Sequence, residues 1–384
     1  MNHSTTHSKK RKTSVPRGIW RSASWKWRVL FFIIGIFLIL NFLMISIWGW
    51  YGWRHRNEPT VVGATFISSY ANYFGLEPQE TLDAMINDLG VKHLRLVSYW
   101  DHAEHIKDNY DFSELDWQFK MAEENGAKVS LAIGLRQPRW PECHMPDWAT
   151  NMPKAQWQAE LEDYMRVVIA RYKDSPALES YQLENEFFLK AFGLCIDHDR
   201  ERLVREYDLV KSLDSEHPII VSRSNNAVGW PVYDPTPDEY AVSVYKRVYD
   251  KTFSKKYFEY PFPSSFYGML AGISEITKGR NLFIHELQAE AWGSKDIIEL
   301  SIEEQNKTMD AQKLSERIDY GLQTGMKRVD LWGPEYWYWR KTKMNDDSLW
   351  EAAKASISKH QTAKSVCIAS IDAPTKPNCY FEVQ

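Results

Sequence analysis

Leu178-Glu179-Ser180-Tyr181-Gln182-Leu183-Glu184-Asn185-Glu186-Phe187 decides the fold. Its first part, Leu178 to Glu184, reads as a short strand, and it breaks off in a polar, carboxylate-bearing turn. Helical stretches flank it, Ala155 to Tyr172 before and Arg200 to Leu213 after. A strand between two such helices is one step of a βα alternation, which builds parallel sheets. Working outward, seven more runs have the same character: Val61 to Phe66, His93 to Val97, Ala127 to Ile133, Pro218 to Arg223, Ala241 to Tyr245, Asn281 to Glu286 and Arg328 to Gly333.

Eight such strands close a barrel, so the predicted fold is α/β, a (β/α)8 barrel. The intervening helices carry their own signals. Leu82, Met85, Ile86 and Leu89 recur at helical spacing and Gly90 follows as a stop. Further helices are expected at Ser113 to Asn125, Ser265 to Thr277, Glu303 to Thr324 and Ser348 to Ile357. The weakest unit lies between the fifth and sixth strands, where Pro231, Pro235 and Pro237 leave little room for a helix. An open doubly wound sheet would need a Gly-rich phosphate turn after its first strand, and none follows Phe66.

Ahead of the barrel, Val29 to Trp48 runs uncharged for about twenty residues, long enough to span a bilayer. Lys9, Lys10, Arg11, Lys12, Arg17, Arg21, Lys26 and Arg28 precede it, so the positive-inside bias leaves the amino terminus in the cytoplasm and the barrel outside. A cleaved signal peptide would have a shorter apolar core and a small-residue ending, not Trp48-Gly49-Trp50-Tyr51-Gly52-Trp53. The expected organisation is a basic tail over 1–28, a transmembrane anchor over 29–48, a juxtamembrane linker over 49–60, the barrel over 61–360 and a tail over 361–384. A net charge of −4 without a basic stripe argues against nucleic acid. Of the four cysteines, Cys367 and Cys379 could close a local loop in the tail, and Cys143 and Cys195 lie in loops that open on one barrel face. No Cys/His spacing reads as zinc, and no cofactor is expected.

Reactive groups of such a barrel come from the carboxyl ends of its strands. The fourth ends in Glu184-Asn185-Glu186 and the seventh in His285-Glu286. An Asn-Glu pair closing strand four and a Glu closing strand seven resemble glycoside hydrolase clan A, the cellulase-like and β-galactosidase-like retaining barrels. The resemblance covers Val61 to about Ile357. It implies Glu186 as acid/base, Glu286 as nucleophile, Asn185 on the sugar's 2-hydroxyl, Tyr245 and Arg95 on the nucleophile, and Trp332 as floor of the reacting subsite. The strand-seven segment departs from the clan's simpler Glu-Phe or Glu-Trp endings, so no subfamily is implied. The chemistry has its own logic: one carboxyl protonates the leaving oxygen while the other attacks the anomeric carbon, at about 5 to 5.5 Å separation in retaining pairs. Phe187 and Phe188 beside Glu186 would favour its protonated form, and Arg95 would sit beside Glu286.

Eight tryptophans fall at or after strand ends, Trp100, Trp140, Trp148, Trp230, Trp292, Trp332, Trp337 and Trp339, and suggest a groove that stacks sugar rings. With Trp140, His144 and Trp292 added to the binding set, the expected partners are a β-linked glycan and a lipid bilayer. Each motif also has a plainer reading. Glu290 competes with Glu286, which is preferred because it closes the strand. Glu184 shares Glu186's side and reads as a satisfied interior carboxylate, and His285 should point away from Glu286 as a structural residue. The loop Arg136 to His144 is either hydroxyl-binding or a stiff wall. A catalytically silent carbohydrate-binding or wall-attachment protein is the alternative function. A metal-dependent hydrolase would need a His/Asp cluster at the strand ends, which is not seen.

Overall fold

The computed structural model describes residues 25–224, 235–251 and 254–369, in two units, 1–46 and 47–384. The described part of the first unit is helical and belongs to helix α1 (Trp25–Arg54); over this part of the helix the apolar side chains are largely exposed, Phe32 by 68% and Phe42 by 71%. A helix apolar on every side has no water-facing stripe, and this one is long and apolar enough to cross a membrane.

The second unit is a closed barrel of parallel strands: β1 (Val61–Thr65), β2 (His93–Val97), β3 (Lys128–Ile133), β4 (Leu178–Leu183), β5 (Ile219–Ser224), β6 (Glu239–Val244), β7 (Asn281–Gln288) and β8 (Arg328–Trp332). Each strand pairs with the next, and β8 returns to β1 with Val61 opposite Arg328. The (β/α)8 expectation therefore holds. Apolar residues on the helix-facing side, such as Leu94, Leu96, Val129 and Leu131, are fully buried. The core is the layer between strands and helices, where each large side chain removed from water contributes about 1.5–3 kcal/mol.

Other buried strand positions are polar: Thr65, Arg95, Ser130, Ser180, Gln182, Ser222 and Ser243. Buried polar groups must find partners. Here they find each other, as where Ser180 Oγ donates to Ser130 Oγ at 3.0 Å and Arg95 Nε to Thr65 Oγ1 at 2.8 Å.

Several expectations are revised. The helix expected over Glu303 to Thr324 is two, Ile302–Gln305 and Ala311–Leu322, because Asp310 caps the second, accepting from the Lys313 amide at 2.8 Å. The aromatics after Trp332, expected to line a groove, lie in the helix Pro334–Lys343, which opens with proline in its first turn. Its Tyr336 and Trp337 are fully buried, as is Trp100. Much of the tryptophan pattern is thus core, not groove. Trp230, the 225–234 connection, residues 1–24 and the suggested Cys367–Cys379 pairing lie outside the described residues or side chains.

Residues 49–54, expected in a linker, continue helix α1. From Ile47 onward that helix packs on the helix Ser264–Lys278, where a Cβ at Gly272 would meet Ile47 at 2.6 Å and one at Gly268 would collide with Trp48. Trp48 Nε1 donates to the Gln323 carbonyl at 3.1 Å, Tyr51 is 2% exposed, and Arg54 and His55 both pair with Glu275.

Candidate active site

The site forms at the carboxyl ends of the strands, and its geometry turns on a bulge. Along β7, Ile284 stands opposite Val242 but Glu286 stands opposite Ser243, so β7 carries one residue more than β6 over this span. The same slip occurs against β8, where Ile284 pairs Val329 and Leu287 pairs Leu331. An extra residue cancels the alternation of sides. His285, expected to face away from Glu286, therefore shares Arg95 with it: Arg95 Nη2 donates to Glu286 Oε1 and Nη1 to His285 Nδ1, both at 2.6 Å. Arg95 is 1% exposed, and its Nη1 also reaches Gln182 Oε1 at 3.2 Å. The Tyr245 hydroxyl donates to Glu286 Oε2 at 3.0 Å. Each oxygen of Glu286 thus has its own donor.

The end of β4 is built differently. The strand stops at Leu183, and Glu184 (φ 51°) and Glu186 (φ 44°) both take the left-handed conformation that side chains avoid, a local cost of about 1–3 kcal/mol each. The turn sends the two carboxyls to different fates. Glu184 accepts from the amides of Leu135 (2.6 Å) and Arg136 (3.0 Å) and from Arg202 Nη1 (2.7 Å), so it is satisfied and structural. Glu186 is buried with no cation bonded to its carboxyl among the described contacts, and its Oε1 has no hydrogen-bond partner. Burial, and then the charge of Glu286, push its carboxyl up to about 7, against the Ser243 and Ser224 hydroxyls and Arg136, which pull it down. Phe187 packs into the main core, with Arg202 over its ring at 5.0 Å.

Asn185 is held on both sides: its Oδ1 accepts from Gln182 Nε2 at 2.9 Å and its Nδ2 donates to Glu142 Oε2 at 3.3 Å. Glu142 was not singled out from the sequence. It lies in the loop after β3 and is a third buried carboxyl of the site, raised well above the ordinary carboxylate range by burial, opposed by Arg136 and reinforced by Glu186 and Glu286. Nothing in strand or helix periodicity marks a loop carboxylate, so that loop could be flagged only as a whole. A disulfide, Cys143–Cys195, ties it to the loop after β4, and Arg136 spans both, donating to the carbonyls of Asn185 (2.6 Å) and Phe192 (2.9 Å).

Glu290, the competitor of Glu286, is fully engaged. Arg139 grips it with two bonds (2.8 and 2.9 Å), Tyr70 donates at 3.0 Å and Trp332 Nε1 at 2.9 Å. The Arg139 guanidinium lies 3.3 Å from the Tyr70 ring centroid and 4.1 Å from that of Trp332. The indole expected to floor a sugar subsite thus already carries a cation on its ring. Trp292 meets Tyr245 edge-on at 5.3 Å. His144 is buried against Tyr99 (3.6 Å, stacked) with its Nε2 unpartnered, while Trp140 is 60% exposed. Arg139, Trp140, His144 and Glu290 border a cavity of about 480 Å³. Among the described residues, no group of three or more His, Cys, Asp or Glu is placed to hold a metal ion.

No family model matches the chain, and a comparison with curated proteins found no match. Solved structures do resemble it. A β-galactosidase from the Antarctic haloarchaeon Halorubrum lacusprofundi superposes with a TM-score of 0.54 at 12% identity over 79% of this chain, which spans 58% of the β-galactosidase. Xylanase 10B from Thermotoga maritima gives 0.53 at 16% identity, covering 78% of this chain and 95% of the xylanase. A GH5_18 structure from Bifidobacterium longum subsp. longum, in complex with Manβ1-4GlcNAc, gives 0.52 at 12% identity over 71% and 68% of the two chains. At these identities the likeness is one of fold, the barrel of clan A glycosidases.

Proposed function

We propose that the chain is a membrane-anchored retaining glycoside hydrolase that cleaves β-linked oligo- or polysaccharide through Glu186 and Glu286. One observation carries the reading: two buried carboxyls act on each other in one site, Glu286 gripped by Arg95 and Tyr245, Glu186 left without a bonded cation and raised to about 7. Such a split of environments separates acid from nucleophile. Glu186 protonates the glycosidic oxygen as Glu286 attacks the anomeric carbon, the aglycone departs, and a glycosyl ester forms on Glu286. Glu186, now ionised, takes a proton from water, whose oxygen displaces the ester and restores both carboxyls. Asn185 lies beside Glu186 for the sugar's 2-hydroxyl, and Trp140, His144 and Trp292 line its approach. Trp332 borders the reacting sugar, which must share the indole with Arg139.

Helix α1 is the anchor, with the basic amino terminus cytoplasmic and the barrel outside. The Cys143–Cys195 disulfide supports this, since such bonds persist in oxidising compartments.

The test uses the full chain in detergent micelles against aryl β-glycosides and a panel of β-glucans, β-mannans and β-xylans. Turnover should fall roughly a thousandfold or more in Glu186→Ala and Glu286→Ala. Azide should rescue Glu286→Ala with inverted product, because the anion fills the nucleophile's vacancy. Absence of turnover on every glycan, with binding that survives both substitutions, would instead establish the silent binding protein.

A further inference from the structure

The bulge that turns His285 inward places it between Arg95 and Ser243. On one side Arg95 Nη1 meets its Nδ1 at 2.6 Å, and on the other its Nε2 lies 3.0 Å from Ser243 Oγ. A guanidinium has only donors, so Nδ1 must offer its lone pair. A neutral imidazole then carries its proton on Nε2 and donates it to Ser243. Burial, then the charges of Arg95 and Arg328, hold His285 well below its ordinary range, so the neutral form is the one present. Having accepted from His285, the Ser243 hydroxyl directs its own proton elsewhere, and it is one of the hydroxyls that hold the Glu186 carboxyl down.

We propose that His285 is a positioning residue: through Ser243 it links the arginine that grips Glu286 to the carboxyl of Glu186, fixing the Ser243 hydroxyl as a donor to the acid/base. The proposal rests on the reading of Glu186 and Glu286 as the reacting pair. The remaining groups facing Glu186 come from other elements: Glu286 on β7, Arg136 and Glu142 from the loop after β3, Ser224 on β5 and Tyr245 just past β6. None of these is touched by trimming Ser243. The chemistry gained lies in the second half of the reaction, where Glu186 must be ionised to take a proton from water. A hydroxyl fixed as donor favours that form, whereas a free hydroxyl would accept from the protonated acid and favour the other.

The experiment is a carboxyl-carbon NMR titration of the full chain in micelles, with the Glu186 signal assigned by its loss in Glu186→Gln, beside the pH profile of kcat/KM on an aryl β-glycoside. Ser243→Ala, which removes one oxygen, should raise the Glu186 midpoint by about half to one pH unit. His285→Leu should do the same, and His285→Gln, which keeps a donor toward Ser243, should restore the native midpoint. The alkaline limb of kcat/KM should move with the midpoint while KM stays constant. A folded Ser243→Ala protein with an unmoved midpoint overturns the proposal, as does a loss of activity that is uniform across pH. If the midpoint moves but the native protein turns over no glycoside, the link between the groups stands and the hydrolase reading falls.

Discussion

The ends of β4 and β7 present the same side chain to one site and treat it in opposite ways. At β7 a bulge brings Glu286 and His285 onto one arginine, and both carboxylate oxygens are bonded. At β4 a left-handed turn sets Glu186 among hydroxyls with one oxygen unpartnered, while Glu184, two residues earlier, takes Arg202 and two amides for itself. The β4 turn pairs Arg202 with the structural glutamate, and Glu186 is left without a bonded cation among the described contacts and responsive to Glu286. Under the proposed mechanism, the division of labour between acid and nucleophile is set by which carboxyl the scaffold neutralises.

The contrast can be broken most severely at Arg95. Arg95→Leu leaves a buried Glu286 without its cation and should cost about 3–5 kcal/mol of stability, read from urea or guanidinium unfolding. At the other strand the sign reverses. Glu186 titrates at about 7 in the folded chain against an ordinary 4.5, so its burial costs nothing below pH 4.5, and the cost grows as pH rises toward 7 and is complete above it. Glu186→Gln should thus stabilise the protein at pH 8 by something on the order of 3 kcal/mol and leave it unchanged at pH 4, measured by thermal unfolding at the two pH values. If Glu186 is the acid, as proposed, kcat/KM on an aryl β-glycoside should decline above pH 7 as it loses its proton. The covalent tie at the β4 side gives a smaller effect: Cys143→Ser with Cys195→Ser should lower stability by about 2 kcal/mol, visible in the midpoint of thermal unfolding. Smallest is Tyr245→Phe, which removes one of the two donors on Glu286 and should reduce kcat/KM roughly tenfold, about 1.5 kcal/mol.

The barrel was legible because β strands and amphipathic helices leave periodic traces, and the strand ends fell within a few residues of their expected places. Arg95, Tyr245 and Glu286 could be named together through the resemblance to clan A glycosidases, and the barrel does bring the three side chains into contact at one end. His285 could not be placed with them, since a bulge adds a residue without a hydrophobic signature and the alternation rule then assigns the wrong side. Glu142 escaped for a different reason: its place is set by a disulfide and by Arg136 bonding across loops, contacts between segments far apart in sequence. The aromatics of Pro334–Lys343 were misread because density of tryptophan does not distinguish a sugar-stacking surface from a core helix, although Gly333 followed by Pro334 carried the helix-start signal.

The last turns of helix α1 bear on where this domain can be cut. Ile47, Trp48 and Tyr51 fill the groove that Gly268 and Gly272 leave open, and Arg54 and His55 close its far end on Glu275. A soluble version started at residue 57 would hand that apolar groove to water and should aggregate or unfold at lower temperature. One started at Ile47 keeps the groove filled, so the folding boundary of the barrel domain lies inside the helix.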